Sequence, residues 1–309
     1  MSGGTKLPGQ PSVLDRRSIQ VRGIERFFAV ARGAPPSAPL LLVLHGMGIN
    51  GAVMAEWTGL ARRGPAAGFA TVFPEGLHEI WDDTGFGRSD GIDDAGFIGA
   101  LIETLAGDGT VRSDHTILVG FSNGATFVEH LARHGVVTTR GIVLVAGTSR
   151  VVSGATAVQP AQESAVLCIA GTADPNVPYR GGRASGLPGW IARRRTRRWL
   201  LRAEGRESLA PEATCTAWAQ ANGCGPEPVV DVLAANAGDM PVERLTWSAP
   251  GRLPVVLYRV VGGGHGWPGG PQYVPRLLIG RISKTFDATG IALDFAGSLI
   301  GGPEKIQHS

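Results

Sequence analysis

Residues 116–134, TILVGFSNGATFVEHLARH, read as a buried strand, one tight turn and an amphipathic helix. Ile117, Leu118 and Val119 form a short apolar run of the kind covered on both faces of a parallel sheet. Phe127, Val128 and Leu131 then recur at helical spacing, and Gly135 stops the helix. Between them, Gly120-Phe121-Ser122-Asn123-Gly124 fits G-x-S-x-G, in which a serine on a sharp strand-to-helix bend projects its hydroxyl away from the sheet. The flanking glycines belong there because so tight a bend leaves no room for a Cβ. The context favours a nucleophile at Ser122, with a serine in an ordinary strand-to-helix turn as the competing reading.

Upstream, a Pro-rich link at 34–39 leads into Leu40-Leu41-Leu42-Val43-Leu44, an unbroken apolar strand, and directly into His45-Gly46-Met47-Gly48. An H-G-x-G loop after a central strand can aim backbone N–H groups at the carbonyl oxygen of a bound ester. Met47 would donate one such N–H, and Asn123, the residue after the serine, the other. Residues 1–17 read as a loose polar tail, and 18–21 with 27–31 as a hairpin around Gly23 at the sheet edge. A helix at 52–63 and a strand at 69–73 precede a long loop, 74–91, that holds Trp81, Asp82 and Asp83. Loops of that length in a compact fold usually carry function. Asp93 or Asp94 would cap the helix that follows, at 95–105.

Downstream, 142–146 and 165–170 read as further buried strands, the second ending in Gly171-Thr172-Ala173-Asp174-Pro175. An acid at that strand tip, after the serine in chain order, suits the residue that orients a histidine; Asp-Pro also favours a plain turn. Residues 180–211 are irregular and include Arg193-Arg194-Arg195-Thr196-Arg197-Arg198-Trp199, read as a solvated insertion or lid. A helix at 211–221 and strands at 242–247 and 255–261 lead to Gly262-Gly263-Gly264-His265-Gly266-Trp267-Pro268-Gly269-Gly270. Glycines in such number give a loop free to turn back over the serine, so His265 completes the order Ser122, Asp174, His265. The other histidines fit less well: His45 belongs to the H-G-x-G loop, His130 and His134 lie along a helix, and His78, His115 and His308 have no comparable setting. At least one helix closes the chain within 275–295.

With 309 residues, 43% of them hydrophobic, the chain can bury one large α/β core, and 18–309 are read as a single domain. A net charge of +3 with few aromatics among the basic residues does not point to nucleic acid. No run reaches the roughly 18 uncharged apolar residues of a membrane span, and the opening MSGGTKLPGQPSVLDRR has no apolar leader; as written the protein is expected to be cytoplasmic, or secreted if a leader was removed. Of three cysteines, Cys168 reads as core, while Cys215 and Cys224 read as either a disulfide or two thiols.

Several signatures occur together between residues 40 and 295: LHGMG, IDDAGFI at 92–98, GFSNGA, GTADPNVPYRGG at 171–182, WAQANGC at 218–224 and GGGHGWPGG. As a set the chain resembles the polyhydroxybutyrate depolymerase and feruloyl or acetylxylan esterase group of α/β-hydrolases. The resemblance implies an α/β-hydrolase fold, with a mostly parallel central sheet and helices on both faces. It also implies a Ser122 nucleophile, an Asp174 acid, a His265 base and an oxyanion hole from Met47 and Asn123. Members of that group are often secreted, and the arginine run at 193–202 departs from their pattern.

The expected chemistry is attack of Ser122 Oγ on an ester carbonyl, with His265 taking the proton and Asp174 holding the imidazole, followed by hydrolysis of an acyl-enzyme. Neither metal nor organic cofactor is required. Trp81 and Trp267 read either as walls of an apolar acyl pocket or as buried core tryptophans, and the partner is a small or polymeric ester rather than nucleic acid or membrane. The rivals are an acyltransferase of the same fold, a non-catalytic binding protein and, more weakly, a peptidase. The sequence does not set the oligomeric state.

Overall fold

The computed structural model describes residues 13–83, 91–151, 160–183, 207–233 and 238–300. Strands β1 (Leu14–Val21) and β2 (Ile24–Ala31) form the N-terminal hairpin, followed by β3 (Ala38–Leu44) and β4 (Ala70–Pro74). Next come β5 (Val111–Phe121), β6 (Gly141–Val145), β7 (Ala165–Gly171), and the short β8 (Gly182–Arg183) and β9 (Glu207–Ser208). The last three are β10 (Val229–Leu233), β11 (Val242–Trp247) and β12 (Val255–Val260). Ten of these make one sheet in the order β1-β2-β4-β3-β5-β6-β7-β12-β11-β10. Its centre, from β4 through β12, is parallel, and both flanks are antiparallel.

The apolar runs explain why the centre is parallel and why it is covered twice. Along β3, Leu40, Leu42 and Leu44 enter one core, while Leu41 and Val43 enter the other. The same alternation splits Leu118 from Ile117 and Val119 on β5, and Cys168 from Leu167 and Ile169 on β7. A strand whose successive side chains point to opposite faces must read as a continuous apolar run when both faces are buried. The first core is closed by α3 (Asp94–Gly107), α4 (Asn123–Arg133) and α5 (Pro211–Ala221). The second lies under α1 (Gly51–Thr58), α2 (Leu60–Ala66) and α7 (Ala288–Ile300), while the one-turn α6 (Arg276–Ile279) sits beside the glycine-rich loop. This is the α/β-hydrolase architecture expected from the sequence.

Several expectations need correction. The polar start is not loose from residue 14 onward, because β1 pairs with β2 along its full length, Leu14 facing Ala31 and Val21 facing Ile24. Residues 1–12 lie outside the described residues. The helix expected at 52–63 is two helices, since Gly59 takes a left-handed φ of 66° and ends α1. Strand β10 was not foreseen at all. Of the insertion at 180–211, residues 184–206, with the whole arginine run, lie outside the described residues; at its neck β8 pairs with β9. Cys215 and Cys224 are both thiols. Cys215 is hydrogen-bonded to Cys168, which together with burial holds its thiol well above the usual range, while Cys224 Sγ points to the Leu253 carbonyl 3.5 Å away. Among the described residues no helix is long and apolar enough to cross a membrane.

One buried ion pair ties the N-terminal hairpin to the site loops. Arg26 on β2 donates to Asp94 Oδ1 at 2.8 Å, and its guanidinium lies 4.0 Å from the centre of the Phe97 ring. The other Asp94 oxygen accepts the Asp82 N–H at 2.9 Å, so this aspartate is an anchor, and it is Asp93 that caps α3 by accepting the Gly96 N–H at 2.7 Å.

Leu118, fully buried at the middle of the sheet, tests the two-sided packing. Leu118→Ala should lower unfolding free energy by about 2–5 kcal/mol in urea titration, the range for truncating a leucine that its neighbours cannot collapse onto.

Candidate active site

Ser122 occupies the one-residue bend between β5 and α4, with φ 54° and ψ −119°. A side-chain-bearing residue held there costs about 1–3 kcal/mol, and the surroundings hold it on both sides. Its N–H donates to the Val145 carbonyl at the end of β6 (2.9 Å), and its carbonyl accepts the Thr126 N–H (3.1 Å). The two motif glycines are where backbones touch: a Cβ on Gly120 would lie 2.4 Å from the Gly124 oxygen, and one on Gly124 2.4 Å from the His45 oxygen.

The structure brings the three residues from separate strand ends together. Ser122 Oγ is 2.8 Å from His265 Nε2, and His265 Nδ1 is 2.8 Å from Asp174 Oδ2. A carboxylate only accepts, so Nδ1 carries the ring proton and Nε2 offers its lone pair to the serine hydroxyl. Asp174 follows β7, and its second oxygen accepts the Asn176 and Val177 N–H groups at 2.7 and 2.8 Å, which fixes the carboxylate plane. The backbone of His265, just beyond β12, is clamped from both sides. Its N–H donates to the Ile279 carbonyl (2.5 Å), and its carbonyl accepts the Tyr273 hydroxyl (3.1 Å). Phe121 supports the ring, with centroids 5.4 Å apart. Among the described histidines, it is His265 whose ring reaches Ser122; His130 and His134 lie against each other at the end of α4, their rings tilted by 50°.

The H-G-x-G loop adjoins the serine, since a Cβ on Gly46 would come within 3.3 Å of Ser122 Cβ. Neither the Met47 nor the Asn123 N–H is taken up by a described backbone carbonyl, as expected of a first-turn amide in the case of Asn123. The loop is held in place by the segment 76–81. His45 is buried, its Nδ1–H donating to the Gly46 carbonyl (2.8 Å) and its Nε2 accepting the Gly76 N–H (2.9 Å). The Gly48 N–H donates to the Glu79 carbonyl (2.9 Å). The Asn123 side chain completes the lattice, accepting the Trp81 N–H at 2.8 Å and donating back to the Trp81 carbonyl at 3.2 Å.

The two tryptophans are not open pocket walls. Trp81 is 1% exposed, stacks on Phe127 and donates its indole N–H to the His45 carbonyl (3.0 Å). Trp267 is 2% exposed and donates to Thr289 Oγ1 (2.9 Å). A buried indole needs an acceptor, and both find one in the scaffold. Sequence reasoning also missed Tyr273, for which no motif or spacing gave a signal. Among the described residues there is no cluster of three or more metal-ligating side chains.

Because His45 uses one ring nitrogen as donor and the other as acceptor, it folds neutral, and burial lowers its pKa from 6.5 to about 4. Between those values the unfolded chain takes up a proton that the folded chain refuses. Stability should therefore fall as pH drops through this window and level off below about 4. The loss should be about 3 kcal/mol greater than in His45→Gln when unfolding is followed across the window.

No family model matches the sequence. The protein named "Putative esterase NocK" from Nocardia uniformis subsp. tsuyamanensis is 30% identical over 308 residues, covering 96% of this chain and 86% of that one. Among solved structures, the acetyl xylan esterase from Aspergillus awamori superposes with a TM-score of 0.54 at 12% identity, covering 81% of this chain and 94% of that chain, a likeness of fold. With identity sustained over almost its whole length, the chain belongs to the esterase family that includes NocK.

Proposed function

We propose that the protein is a serine carboxylic ester hydrolase working through an acyl-enzyme. The observation that carries this reading is the unbroken relay from Ser122 Oγ through His265 to Asp174, both contacts at 2.8 Å. His265 Nε2 takes the hydroxyl proton as Oγ attacks the ester carbonyl, and Asp174 stabilises the imidazolium and holds its tautomer. The same imidazolium returns the proton to the departing alcohol. Water then attacks the acyl-serine, with His265 again the base, and releases the acid. The Met47 and Asn123 N–H groups face the oxyanion of each tetrahedral intermediate, where one donor is typically worth about 2.7–4 kcal/mol of activation energy.

For the substrate, the motif resemblance favours hydroxycinnamoyl or acetyl esters of polysaccharide, or oligomeric and polymeric hydroxyalkanoates. Rates on methyl ferulate, acetylated xylan and soluble hydroxybutyrate oligomers will separate these classes.

Ser122→Ala should lower turnover of p-nitrophenyl acetate by roughly 10⁴–10⁶-fold with the circular dichroism spectrum unchanged. It should also abolish covalent labelling by an alkyl fluorophosphonate, which the parent protein is expected to take up at Ser122. Turnover that survives the substitution would overturn the mechanism.

A further inference from the structure

Among the described residues the sheet ends in two edge strands, β1 and β10, and they are built differently. On β1 the exposed positions are Arg16, Arg17, Ser18 and Gln20, the polar and cationic dressing that keeps an edge from pairing with another chain. On β10 they are Val229, Val230 and Val232, at 65, 52 and 72% exposure, so apolar side chains stand out from both faces of the strand. One side of β10 is paired with β11 from Val229 opposite Thr246 to Leu233 opposite Val242, and among the described residues no further strand of the sheet follows it. Its outer side carries unpaired backbone donors and acceptors.

We infer that β10 is a homodimerisation edge, pairing antiparallel with β10 of a second copy about a two-fold axis at Asp231. The sequence Val229-Val230-Asp231-Val232-Leu233 reads almost the same in both directions, which a two-fold antiparallel ladder demands. Val229 faces the second copy's Leu233, Val230 its Val232, and Asp231 its own equivalent. Every apolar side chain thus meets an apolar one. The single like-charge contact is Asp231 against Asp231, and each carboxylate is already held by Arg244 of its own chain at 2.9 Å, so the row across the axis is neutral. Two ten-stranded sheets would then run on as one. With only five residues in the ladder, the contact is at the small end of specific interfaces and the dimer reversible.

Sedimentation velocity of the full chain from roughly 5 to 300 μM, a span that brackets micromolar association, should show a dimer growing with concentration. Val230→Lys combined with Val232→Lys should remain monomeric throughout, with ester hydrolysis intact. The register is tested by oxidation. Asp231→Cys places two thiols at about 4.5–5.5 Å Cα separation and should cross-link into covalent dimers. Val229→Cys leaves its two thiols about 13 Å apart along the ladder and should not. A wild-type chain that stays monomeric over the whole range, a double-lysine variant that dimerises like the parent, or equal cross-linking of both cysteine variants would each overturn the inference.

Discussion

Everything at the candidate site follows from one backbone angle. With φ at 54°, Ser122 turns the chain from β5 into α4 within a single residue, lifting its hydroxyl clear of the sheet and presenting the first amides of the helix beside it. The cost of that angle is offset by contacts that exist only if the neighbours are also in place: the Val145 carbonyl at the end of β6, and the carbonyls of Leu44 and His45, which approach Gly124 so closely that no side chain fits between. The bend, the strand on one side and the loop on the other are therefore mutually dependent, and local strain is carried by the whole parallel centre of the sheet.

Backbone contacts fix both Asp174 and His265. Asp174 is oriented by two amides of its own turn, and His265 by Ile279 and Tyr273 on the segment that follows it. The loop beside Ser122 rests on a neutral buried imidazole and a buried indole, each with its polar atoms satisfied. Such a lattice is rigid because removing any member leaves a buried donor or acceptor unmatched, at a cost of about 1–3 kcal/mol.

What the sequence revealed tracks what is local or periodic. The central strands announce themselves as unbroken apolar runs because burial on two faces leaves no other pattern, and the serine bend is legible because its glycines are sterically required. The order Ser122, Asp174, His265 follows from strand tips that a parallel sheet must gather at one edge. What stayed hidden depends on pairing across the fold. Trp81 and Trp267 read as pocket walls or core alike because an aromatic in a loop gives no sign of where its N–H will find an acceptor. Gly59 splits a helix that periodicity alone would continue. Asp93 and Asp94 are adjacent and chemically alike, and only the tertiary structure assigns one to a helix cap and the other to Arg26. Strand β10 escaped notice because its three valines are exposed and fall on both faces, so neither alternation nor burial marks it.

Arg26 couples the N-terminal hairpin to the candidate site. Its guanidinium reaches Asp94, Asp94 reaches the backbone of Asp82, and the neighbouring Trp81 grips the side chain of Asn123 beside Ser122. The hairpin is thus joined through three hydrogen-bonded contacts to the residue proposed to face the oxyanion. A substitution on β2 can therefore be felt at the serine bend without touching Ser122, Asp174 or His265.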